Sequence, residues 1–237
     1  AFNAEAAGAI GVVIVNREPE VIEMGAGAQG SAVTIPVAFV SSVTGALMLA
    51  EMANGPVNVF FGNKTGLFAD DAGVTTAASL ISKSYGTPIQ LSQNATEFNF
   101  EVGTRVYNYG TNNQTNVSVT ATVNGPAGIV YDETVSSVSI PSGDSVDIFP
   151  GGAFEFPAFS LATYPVGRYT LTYTVDLGVA DEYDGDNSVS SDFVINDEVF
   201  SLAQIDSETG LVTSNNAYRP GTNTATFSAC VPFRNAN

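Results

Sequence analysis

The chain has 237 residues, 44% of them apolar and only 13% charged, which suits one or two domains with real cores and excludes a disordered chain. Seven Lys and Arg against 24 Asp and Glu give a net charge of −17, which repels phosphate backbones and anionic lipid surfaces and argues against nucleic acid as a partner. Histidine is absent and cysteine occurs once, as Cys230, which removes Ser-His-Asp and Cys-His chemistry, histidine- or thiolate-bound zinc and any disulfide within the chain. Cys230 reads as a small buried apolar residue rather than a nucleophile. No apolar run reaches the ~18 residues of a membrane span, so membrane insertion is not expected. The start, Ala1-Phe2-Asn3-Ala4-Glu5, lacks the basic n-region of a signal peptide.

Phe2 to Ala9 is Ala-rich and reads as helix, with Gly8 and Gly11 at its end. Ile10 to Val15 is a β-branched run, the pattern of a strand buried on both faces, and Asn16 to Glu20 breaks it. The Gly-Ala-rich stretch from Met24 to Ser31 reads as loop. Val33 to Val40 is extended, with Pro36 near its start. Ser42 is placed to cap a helix over Val43 to Met52 that has Leu47, Leu49 and Met52 for a buried face. After Asn54-Gly55-Pro56, the alternation of Val57, Val59 and Phe61 predicts a closing strand.

The stretch Asn3-Ala4-Glu5-Ala6-Ala7-Gly8-Ala9, the strand-ending Asn16 and Ile35-Pro36 occur in the order seen in the C-terminal half of a protease-associated (PA) domain, which residues 1–62 resemble. The resemblance implies a non-catalytic β-rich module of secreted or membrane-tethered proteins. It implies further strands upstream, so the sequence is expected to be part of a larger protein. It also implies a surface loop for protein contact at Glu23, Met24, Gly25, Gly27 and Gly30. That Gly-rich loop lacks the Gly-Lys-Ser/Thr of a phosphate loop.

Residues 63–86 read as a linker carrying a short helix between Thr75 and Ser82. From Pro88 onward, strand-like runs recur between turn signals: Ile89–Ser92, Phe98–Tyr109, Val117–Val123, Ile129–Ile140, Ser145–Phe149, Arg168–Asp176 and Ser191–Asn196. About seven strands over ~110 residues predict an immunoglobulin-like sandwich over 87–197. Val106-Tyr107-Asn108-Tyr109-Gly110, Tyr164-Pro165-Val166-Gly167-Arg168-Tyr169-Thr170-Leu171 and the acidic loop ending in Asp186-Asn187 resemble the CARDB-type module, an adhesion-related bacterial fold. Residues 198–237 read as the start of a further β domain. The fold class is therefore mainly β with a small α/β N-terminal part: a partial PA domain followed by an immunoglobulin-like β-sandwich.

Asp181, Glu182, Asp184, Asp186 and Asn187 offer hard oxygen ligands on a short loop and form a candidate calcium site, although the spacing is not that of an EF-hand. The alternative is a solvated turn, which Asp184-Gly185 favours. Asp70-Asp71 is a second, smaller acidic pair. Tyr107, Tyr109, Tyr131, Tyr169 and Tyr173 read as sheet surface and sandwich core. No cofactor is required by any motif. The chain is expected to be a non-catalytic interaction or adhesion segment of a large extracellular or cell-surface protein, with protein or other domains of the same chain as partners. The order of modules resembles that of surface proteins of Bacteroidetes-type bacteria, many exported by the type IX route. The alternative is a substrate-recognition segment of a secreted protease with its catalytic domain elsewhere.

Overall fold

A computed structural model describes residues 1–18, 21, 24, 25, 27–59, 61–206 and 211. The expected third-domain strands around Thr224 to Phe233, and Cys230 with them, lie outside the described residues. The chain divides into two compact units, Ala1–Asn63 and Lys64–Asn237. No helix among the described residues is long and apolar enough to cross a membrane.

Unit 1 is small and α/β. Helix α1 (Phe2–Ala6) forms from the Ala-rich start and gives way at Gly8, which holds φ at +93°, a value glycine adopts without strain. Strands β1 (Val12–Val15) and β2 (Val37–Val40) pair in parallel, Val12 opposite Val37 and Val15 opposite Val40. The Pro36 carbonyl accepts from Val12 N at 3.0 Å, so Pro36 contributes to the ladder although it has no N–H to donate. Glu5 reaches across from α1 to the backbone N–H and hydroxyl of Thr34 and ties the helix to the approach to β2. Helix α2 (Ser42–Met52) is capped by Ser41, whose Oγ accepts from Thr44 N at 3.1 Å, one residue earlier than the sequence suggests.

Two expectations fail in this unit. Leu47, Leu49 and Met52 are not buried: they stand 66%, 66% and 59% exposed, and Gly45 is the buried position of α2. Gly45 lies over Val15, and Leu47 follows it by roughly 200° around the helix, facing away. Leu49 and Met52 lie nearer the Gly45 side, but a two-stranded sheet with strands of four residues is too small to cover a helix of this length. Nor do the described residues of the predicted closing strand form one: Pro56–Val59 makes no ladder, although Phe61 packs on Gly11. Alternation encodes an extended backbone, but a strand needs an edge to join.

Unit 2 is all β. Its strands are β3 (Ala72–Ser79), β4 (Gly86–Pro88), β5 (Asn99–Phe100), β6 (Thr104–Asn108), β7 (Gln114–Gly125), β8 (Gly128–Ile140), β9 (Ser145–Ile148), β10 (Phe159–Ser160), β11 (Gly167–Asp176) and β12 (Ser188–Asn196). One sheet has the order β4-β12-β11-β7-β8, the other β3-β6-β9, and β10 pairs with β5. Pairing is antiparallel except between β12 and β4. The period-two alternation places Val117, Val119, Ala121 and Val123 of β7 and Tyr169, Leu171, Tyr173 and Val175 of β11 on one buried face. They share a single core with Ala72, Val74, Val106 and Ile148 of the smaller sheet and with a group of Phe98, Phe100, Phe159 and Phe193, so the two sheets pack as a sandwich.

The segment expected as linker and helix instead supplies β3, an edge strand of this sandwich. Val74-Thr75-Thr76 is β-branched and Val74 pairs with Val106, which outweighs the helical tendency of Ala77 and Ala78. Ile89–Leu91 is a 3-10 turn, not a strand, because the parallel ladder with β12 ends at Pro88. The run Phe98–Tyr109 splits at Glu101–Gly103, where Gly103 sits close under Ile148 and Phe149. Asn108 ends β6 and is 1% exposed; its Nδ2 donates to Asn112 O (2.8 Å) and Ile140 O (2.9 Å), and its Oδ1 accepts from Gly110 N (3.0 Å). A buried Asn whose polar atoms all find backbone partners fixes this corner without cost.

Candidate functional site

Unit 1 carries a cavity of about 590 Å³ on its sheet. Its apolar lining comes from Phe2 of α1, Ile14 of β1, Met24, and Val33, Ile35 and Val37 on the way into β2. Of the residues predicted for protein contact, Met24, Gly25, Gly27 and Gly30 line this cavity, and Glu23 lies outside the described residues. Gly27 holds φ at +61°, which lets the loop turn back over the sheet. Phe2 and Met24 are 42% and 39% exposed, so the cavity opens to solvent. A parallel sheet is normally covered on both faces, yet every β1 and β2 residue here is only half-buried or exposed.

The acidic loop of unit 2 connects β11 to β12 and folds against the residues that open β3. Asp181 Oδ2 accepts from Ala72 N at 3.1 Å and its Oδ1 from Tyr183 N at 2.8 Å. Glu182 Oε2 accepts from Ala69 N and Asp70 N, and Glu182 N donates to Asp70 O at 2.8 Å. In the orientation that satisfies both neighbours, the Asn187 amide nitrogen donates to Ala72 O and Asp181 Oδ2. Asp186 Oδ2 meets Lys64 Nζ at 2.6 Å, and Asp184 is exposed. The structure thus brings Asp181, Glu182, Asp186 and Asn187 onto one seam, where N–H and ammonium donors occupy much of their oxygen capacity. Among the described residues no three acidic side chains are grouped to hold a metal ion.

Sequence reasoning missed the centre of that seam. Lys64 Nζ lies 2.7 Å from Asp71 Oδ1 as well, and sits 4.0 Å from the ring centre of Tyr109 and 4.8 Å from that of Tyr183. Burial opposes the Lys64 charge, but Asp186 and Asp71 outweigh it and hold the ammonium above the usual lysine pKa. Asp71 is fully buried, and burial, with Asp186 and Asp181 nearby, pushes its carboxyl above the usual range in spite of Lys64. Asp70 goes the other way: hydrogen bonds from Gln114 and Asn112 lower it. The adjacent Asp70-Asp71 was the one signal in the sequence. Of the five tyrosines read as sheet residues, Tyr169 and Tyr173 are core, whereas Tyr109 covers Lys64.

A family model described as the PA domain matches residues 1–48, within unit 1. No curated protein matches the chain. Among solved structures, the CARDB domain of a Pyrococcus furiosus protein, solved in complex with di-metal ions, is 17% identical, with 58% of this chain and 100% of that one covered at a TM-score of 0.36. A domain assigned to a cell-surface protein of Methanosarcina acetivorans is also 17% identical, with 55% and 96% covered at a TM-score of 0.32. The chain therefore joins a PA-type match over residues 1–48 to an all-β sandwich in unit 2.

Proposed function

We propose that the chain is a non-catalytic interaction segment of a larger secreted or cell-surface protein, and that the cavity of unit 1 receives an extended apolar segment of a protein partner. The observation that carries this reading is the cavity itself: an apolar floor from β1 and β2, rimmed by the Gly-rich loop, on a sheet whose faces are incompletely covered. Protein segments bind such surfaces through apolar anchors in pockets and backbone hydrogen bonds along the wall. The PA match over the same residues supports the reading. The sandwich of unit 2 serves as a spacer that presents unit 1, and its acidic surface keeps it in solution. The absence of histidine from the chain supports a non-catalytic role.

Selection of displayed peptides on the full chain tests this. Wild-type protein is expected to enrich peptides with spaced apolar residues, and a Phe2→Glu/Met24→Glu variant, altered at two exposed rim positions, is expected to lose them. Enrichment that survives both substitutions would place binding elsewhere and overturn the assignment.

A further inference from the structure

Lys64, Asp71 and Asp186 form a compact ion-paired group in unit 2. The ammonium touches both carboxylates, at 2.7 Å and 2.6 Å, and the rings of Tyr109 and Tyr183 cover it, with Phe68 stacked on Tyr183. Asp71 Oδ2 and Asp186 Oδ1 are buried without a hydrogen-bond partner. One cation facing two carboxylates, one of them fully buried, leaves a negative charge in excess, and a proton on the buried carboxyl removes it. The unpartnered Oδ2 of Asp71 is where that proton resides. An amine in contact with a carboxylic acid, with a second carboxyl to carry protons, is set up for condensation, and holding the groups together replaces a bimolecular encounter.

We propose that Lys64 and Asp186 condense into an intramolecular amide, with Asp71 as the catalytic proton carrier. Lys64 passes a proton to the Asp186 carboxylate it touches, and the neutral Nζ attacks Cγ of the acid so formed. As the N–C bond forms, Asp71 gives its proton to the departing hydroxyl, the C–O bond breaks and water leaves, and Asp71 takes a proton back from Nζ. An ammonium and a carboxylate become an amide and one water, with no change of oxidation state and no co-reactant. Asp186 rather than Asp71 is the acylating partner because its side chain is 24% exposed and gives the water an exit, whereas Asp71 is 0% exposed and offers none. Gly73 makes room for the reaction: a Cβ there would occupy the place of the Asp186 carboxylate. The bond would fasten the first residue of unit 2 to the loop that leads into its last described strand, β12.

Intact mass spectrometry of the full chain tests the proposal. The expected mass is one water below that summed from the sequence, and a tryptic digest is expected to yield one branched peptide containing Lys64 and Asp186. Lys64→Arg keeps the positive charge but offers no primary amine, and should return the full mass with separate peptides; Asp71→Asn should leave most molecules unbranched. Wild-type protein at the full mass with no branched peptide after prolonged incubation would overturn the proposal. So would a branch that joins Lys64 to Asp71 instead.

Discussion

Tyr173 ties the two sheets of the sandwich through one oxygen. It is 2% exposed on β11, donates to Leu80 O at 2.9 Å and accepts from Gly103 N at 3.0 Å. Leu80 N in turn donates to Gly103 O at 2.8 Å, so the phenol completes a small closed set beside β3 and β6. Tyr173→Phe keeps the ring and its packing and removes only the hydroxyl. The buried Gly103 N–H is left without its acceptor, which costs about 1–3 kcal/mol, and the Leu80 bond adds about 1 kcal/mol, so roughly 2–4 kcal/mol is expected. For a domain of this size that lowers Tm by about 4–16 °C. Urea unfolding followed by far-UV circular dichroism measures it, with an unchanged m-value as the check that only stability moved. A loss below about 0.5 kcal/mol, within the range of an ordinary surface substitution, would refute the reasoning that this hydroxyl joins the sheets.

Gly45→Ala sets propensity against packing: alanine gains about 1 kcal/mol in a helix, but overpacking costs about 1–3 kcal/mol. Because the added Cβ meets the stiff Val15 side chain, unit 1 is expected to become more susceptible to limited proteolysis; greater resistance would show that Val15 yields freely. Burial pushes the phenols of Tyr169 and Tyr173 up to about 12. Their folded pKa values lie above the unfolded value of about 10, so the stability they contribute is complete below about pH 10 and is lost as pH rises towards 12. Alkaline unfolding should therefore coincide with a rise in phenolate absorbance, and a folded protein whose tyrosines all titrate near their ordinary value would contradict this. Since N–H and ammonium donors occupy much of the oxygen capacity on the 181–187 seam, chelator is expected to leave the melting midpoint of unit 2 unchanged, and a calcium-dependent rise would show that an ion displaces those contacts.

The central strands were legible because their alternation is strict. Val117 to Val123 and Tyr169 to Val175 pair in register, Ala121 opposite Tyr173 and Val123 opposite Leu171, and bury the residues that the pattern marks. Strands with weaker local signals were not. Ala77 and Ala78 suit a helix in isolation but lie in the irregular stretch of β3 whose two ends, Val74 and Ser79, pair with Val106 and Thr104 of β6. Leu47, Leu49 and Met52 look like a core face, but no local pattern tells how wide a sheet lies beneath the helix. The turn at Gly27 was legible from the glycine run, and Met24, Gly25, Gly27 and Gly30 line the cavity. The Lys64–Asp71–Asp186 group was not legible, because Asp186 lies more than a hundred residues from Lys64 and Asp71 and joins them only through the fold of unit 2. Glu182 and Asp181 read as ligands in sequence because a carboxylate that accepts backbone N–H groups looks the same there as one awaiting a cation.

Hydrogen exchange of the full chain, with and without a peptide selected on it, tests the interaction reading most directly. The account predicts slower exchange confined to unit 1, at α1, around Met24 and from Val33 into β2, with unit 2 unchanged. Protection that appears on the strands of unit 2 and leaves those residues exchanging as before would contradict it.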